Sequence, residues 1–61
     1  MKISDFEAGL VTGEDVGKYV GLHGGSPMVV RATAAAARRD TTDIIDGADA
    51  ATITVEQITE G

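Results

Sequence analysis

The sequence predicts an all-β fold, a small antiparallel barrel or sandwich of four to five short strands with room for one short helix near residues 34–40. Three observations carry this expectation. Residues 16–23 and 28–33 alternate with period two around a glycine-rich reversal, His23-Gly24-Gly25-Ser26-Pro27. Asp46-Gly47-Ala48-Asp49 marks a second reversal, because Asp-Gly is a favoured pair for tight hairpins. Residues 51–57 alternate again, with Ala51, Ile53 and Val55 inward and Thr52, Thr54 and Glu56 outward.

Residues 1–11 begin with a short apolar arm. Ser4 and Glu7 stand at capping-box spacing, so one helical turn and a brief edge strand over residues 2–6 are both open readings. Phe6 and Leu10 are expected to cover one end of the core, and Gly9 argues against a longer helix. Thr12 and Asp15 repeat the capping spacing and predict a single closed turn. Gly17 suggests a bulge or a close backbone approach.

In the first run Val16, Val20 and Leu22 share a face, interrupted by Lys18, while Tyr19 and His23 point the other way. In the second, Met28, Val30, Ala32 and Ala34 oppose Val29, Arg31 and Thr33. Glycine reaches positive φ and proline lacks a ladder donor, so the chain reverses between the runs. Four alanines behind Thr33 as N-cap, closed by Arg38 and Arg39 at the negative pole of the dipole, predict a helical turn or short helix within residues 34–40. A continuing strand with a small-residue face is the alternative. Thr41, Thr42, Ile44 and Ile45 are β-branched and turn residues 40–45 β-like again. Ile58 falls out of phase with the last strand, and Thr59-Glu60-Gly61 is a polar tail. Val20, Leu22, Val30, Ile53 and Val55 are the expected core.

With 61 residues there is room for one small β domain, residues 1–61. A chain of this size buries roughly 60% of its unfolded surface and is marginal alone. There is no cysteine for a disulfide or a thiolate zinc site, and Phe6 and Tyr19 are the only aromatics. Association with a larger partner or with copies of itself is therefore expected. A net charge of −5 repels phosphate backbones, so no nucleic-acid partner is expected. The start lacks the apolar run of a signal peptide and no stretch approaches membrane-spanning length, so no membrane partner is expected and cytoplasmic synthesis is.

No catalytic, cofactor or metal site is expected. His23 is the sole histidine and has no nucleophile or orienting carboxylate assigned to it. Asp40, Asp43, Asp46 and Asp49 recur every third residue, whereas a calcium loop needs ligands at alternate positions and a later glutamate; they read as turn formers and a solvated rim. The glycines from Gly21 to Gly25 lack the following helix of a phosphate cradle, and Ser26 lacks a strand-to-helix elbow. What remains is a contact surface. Small side chains over residues 34–37, Ala35 and Ala36 among them, let another backbone approach, with Arg31, Arg38 and Arg39 placed to meet carboxylates.

Ile3-Ser4-Asp5-Phe6, then Glu14-Asp15-Val16-Gly17-Lys18-Tyr19-Val20, then Thr52-Ile53-Thr54-Val55, resembles small β-barrel proteins of tailed phages of actinobacteria, of the SH3-like or head-decoration-like kind. The resemblance implies a binding scaffold with no catalytic constellation: a virion component on the capsid surface, decorating or cementing it against the major capsid protein. A phage-encoded regulatory module, an inhibitor or antitoxin-like protein acting on a host protein, is the alternative.

Overall fold

The computed structural model describes residue 2, residues 11–45 and residues 50–60. Among them, a three-stranded antiparallel sheet and one helix form a mixed α and β arrangement. The elements are β1 (Tyr19–His23), β2 (Ser26–Arg31), α1 (Ala34–Ile44) and β3 (Ile53–Gln57), and the sheet order is β2-β1-β3. The expected barrel of four to five strands is thus replaced, among the described residues, by three strands with α1 laid across one face. The alternatives for residues 3–10 and the Asp46–Asp49 reversal lie outside the described residues.

The central hairpin is present but tighter than expected. Gly24 and Gly25 have φ of +58° and +86°, so the two residues between His23 and Ser26 make a turn of the mirror-image type that matches strand twist. Pairing runs from Tyr19 opposite Arg31 to His23 opposite Ser26, with an irregularity that leaves Met28 without a partner on β1. Residues 16–18 were expected within the strand. Instead the Thr12–Asp15 pair closes a 3-10 turn over Gly13–Asp15, the Thr12 N–H donating to the Asp15 carboxylate at 3.0 Å. Gly17 then bends the chain at φ +92°, and a Cβ there would meet nothing, so conformation alone calls for glycine. Gly25→Ala is expected to cost about 1 kcal/mol through its left-handed φ, and Gly24→Asn to be near neutral. Urea melts of the two variants provide the comparison.

The largest departure from expectation is α1, which runs through residues 40–44 where β structure was expected. Its start follows the sequence: the Thr33 hydroxyl accepts the Ala36 N–H at 3.2 Å. Its continuation does not follow from propensity. Threonine and isoleucine cost only a few tenths of a kcal/mol in a helix, and here Thr41 is wholly buried against the sheet while the Thr42 hydroxyl donates to the Arg38 carbonyl at 2.8 Å. Packing of an 11-residue helix outweighs that loss. Arg38 and Arg39 consequently lie in mid-helix, and the last turn carries no basic residue.

Cross-strand register assigns the faces. Tyr19, Gly21 and His23 face α1, because a Cβ on Gly21 would overlap the Thr41 hydroxyl and lie 2.8 Å from the Ala37 carbonyl. Ile53 and Val55 pair with His23 and Gly21 and share that side. On the opposite side Val20, Leu22, Val11 and Ile58 form a buried cluster with Val30 packed against it. Both faces of the sheet are therefore covered. Of the expected core, Val20, Leu22 and Ile53 are buried, while Val30 and Val55 are half-buried. Ile58, out of phase with Ile53 and Val55, is 1% exposed because it serves the other face. Val16, expected on the core face, is exposed.

Candidate functional site

Arg31 and Asp40 come together through tertiary structure. Arg31 pairs with Tyr19, which places it on the helix side of the edge strand β2. From there its Nε donates to Asp40 Oδ2 at 2.6 Å, and another guanidinium nitrogen donates to the Val30 carbonyl at 2.8 Å. Arg39 Nε donates to Asp40 Oδ1 at 3.1 Å, so a single carboxylate joins two arginines. Arg38 is not part of this group. Two residues along a helix turn the side chain by about 200°, so with Asp40 on the β2 flank, Arg38 lies on the β3 flank, exposed and without an ion partner among the described residues. The expected cluster of Arg31, Arg38 and Arg39 is thus a bridged pair and a separate cation.

Ala35 faces solvent and Ala36 is half-buried. The close approach expected of the alanine run is made within the chain, by Ala37 and Thr41 against Gly21. Sequence reading missed Gly21, although a lone glycine inside a strand pattern is the recognised sign of such an approach. Among the described residues the Thr41 hydroxyl has no hydrogen-bond partner.

The Arg31 and Arg39 guanidiniums, in that order of weight, hold the Asp40 carboxyl below its ordinary value of 3.8. Asp15 is lowered by the Thr12 N–H and then by Lys18, 3.4 Å away. Both folded values lie below the unfolded ones, so this stabilisation is complete above the unfolded pKa and is lost as pH falls through the folded one. Melting temperature is expected to decline below about pH 4, and Asp40→Asn to make the decline shallower.

Register sets His23 beside Ser26 and Ile53, and no hydrogen bond joins the His23 and Ser26 side chains. Asp43 is exposed on α1, while Asp46 and Asp49 are outside the described residues; among the described residues no group of ligating side chains is arranged to hold a metal. No described helix is long and apolar enough to cross a membrane. A half-open hollow of about 260 Å³ follows β2, lined by Val20, Pro27, Met28, Val29, Val30 and Arg31.

The two sheet edges differ. Gly24 N–H donates to the Thr52 carbonyl at 3.0 Å and Ile58 N–H to the Lys18 carbonyl at 2.8 Å. Even-numbered residues of β1 therefore turn their backbone groups toward β3 and odd-numbered ones toward β2. Pro27, opposite Leu22, has its missing donor on the outer edge of β2, and the unpaired Met28 kinks that edge further. On β3 the register with β1 is unbroken, and Ile53 and Val55 turn their N–H and C=O groups outward.

No protein-family model, curated protein or solved structure matches the chain.

Proposed function

We propose that this chain is a non-enzymatic docking protein, a virion component of a phage that decorates or cements the capsid surface. The observation that carries the reading is the distribution of charge. A chain of net charge −5 holds Arg31 and Arg39 around the Asp40 carboxylate on the β2 flank of α1, with Asp43 exposed one turn beyond Arg39, and carries Arg38 on the other flank without an ion partner among the described residues. Such a helix face suits acidic groups on a protein surface. Ala35 lies between the two flanks and presents no bulk to a partner. The resemblance to small phage β proteins supplies the capsid as that surface, with the major capsid protein or neighbouring copies of this chain as partners.

Mass spectrometry of purified particles tests the proposal. The expected result is this chain at an abundance near that of the major shell protein. Its absence from particles, with free chain in the infected-cell lysate, would overturn the virion reading and favour a regulatory module acting on a host protein.

A further inference from the structure

We infer that Arg31, anchored by Asp40, guards the outer edge of β2 against pairing with the same edge of a second copy of this chain. The inference goes beyond the docking reading above, because it concerns an association that the fold prevents.

The edge needs a guard. Among the described residues no strand lies beyond β2, Met28 is 38% exposed and Val30 is half-buried, so this side of the sheet meets solvent. Residues 27–30 carry no charge, and with Val20 they line the apolar hollow along the strand, where Arg31 is the charged liner. An uncharged, largely apolar run on an open edge is a template for pairing with another chain.

Backbone geometry narrows where that pairing would occur. Val29 and Arg31 turn their backbone groups toward β1, so Val30 between them turns its N–H and C=O outward. Pro27 has no donor to offer and Met28 has no register partner. Val30 is therefore the position at which an incoming strand would find both a donor and an acceptor. Two copies related by a two-fold axis would bond there reciprocally, the N–H of each Val30 donating to the carbonyl of the other. Arg31 takes that acceptor first. One guanidinium nitrogen donates to the Val30 carbonyl at 2.8 Å, while Nε donates to Asp40 Oδ2 at 2.6 Å. A carboxylate on α1 thus holds the side chain over the carbonyl that the second copy needs. Pairing about Val30 would also bring two Arg31 cations toward each other across the axis.

The test compares the intact chain with Arg31→Gln and Arg38→Gln by sedimentation over a range of concentrations. Each substitution removes one positive charge at an exposed position, and only Arg31 touches the edge. Arg31→Gln is expected to self-associate about tenfold more tightly than the wild type or Arg38→Gln, the factor that corresponds to one hydrogen bond. Hydrogen exchange of the Val30 amide is expected to slow in Arg31→Gln as concentration rises. Asp40→Asn, which keeps the guanidinium and loosens its anchor, is expected to fall between. Should Arg31→Gln lose its native amide spectrum, Asp40→Asn decides by the same two readings. Equal self-association in all the folded chains, or association without protection of Val30, would overturn the inference. So would a wild-type dimer that protects Val30, because the edge would then be an interface. Particle mass spectrometry reads the docking proposal separately, so the failure of one is distinguishable from the failure of the other.

Discussion

Gly21→Ala is expected to be among the most damaging single substitutions in this protein, although it adds one methyl group. That methyl would overlap the Thr41 hydroxyl and stand 2.8 Å from the Ala37 carbonyl, closer than a real Cβ contact comes. The side chain of Thr41 is short, β-branched and wholly buried, so it has little room to give way. The carbonyl belongs to the helix backbone and moves only with α1. Overpacking of this kind costs about 3 kcal/mol at the upper end of its usual range, and a domain of this size has a total stability of only about 3–5 kcal/mol. Gly21→Ala is therefore expected to lower the urea midpoint sharply or to leave the chain largely unfolded. A double-mutant cycle with Thr41→Ala identifies the cause. Removing the hydroxyl and its methyl relieves the first overlap and not the second, so partial recovery is expected. Equal losses with and without Thr41→Ala would mean that the helix does not pack on Gly21 as described.

The second large effect is expected at Ile58. This residue is 1% exposed and packs with Val11, Val20 and Leu22 on the face away from α1. Ile58→Ala is expected to cost about 2–4 kcal/mol, the lost transfer energy plus the cavity left behind. Ile44 provides the control, because it is 53% exposed; Ile44→Ala is expected to change stability by less than about 0.5 kcal/mol. Both substitutions remove the same atoms, so the contrast reports burial once the few tenths of a kcal/mol that alanine gains over isoleucine in α1 are allowed for. Urea denaturation with fluorescence from Tyr19 or far-ultraviolet circular dichroism measures both. A small loss at Ile58 would show that the face opposite the helix is not part of the core.

Local chemistry determined a good part of this molecule. The Gly24-Gly25 reversal, the capped turn at Thr12–Asp15, the Thr33 cap of α1 and the alternating strand at residues 53–57 are each specified by residues within a few positions of one another, although that strand was expected from residue 51 and Ala50–Thr52 instead forms a 3-10 turn with Ala51 exposed. Such features are legible because glycine's left-handed φ, a carboxylate three residues from an amide, and period-two patterning act at short range. The arginines, too, could be singled out from sequence as surface cations.

Tertiary structure decided the rest. Residues 40–44 are helical because Thr41 packs on Gly21, a contact between residues 20 positions apart that no local propensity encodes. Ile58 is core because the sheet is covered on both sides, so a residue out of phase for one face is in phase for the other. Arg31 finds Asp40 across nine residues, leaving Arg38 as the cation of the opposite flank. Alternation predicts a strand and not its neighbours, so only tertiary structure sets the order β2-β1-β3 among the described residues. Those are long-range relations, set by which surfaces come to lie against each other when the chain closes on itself.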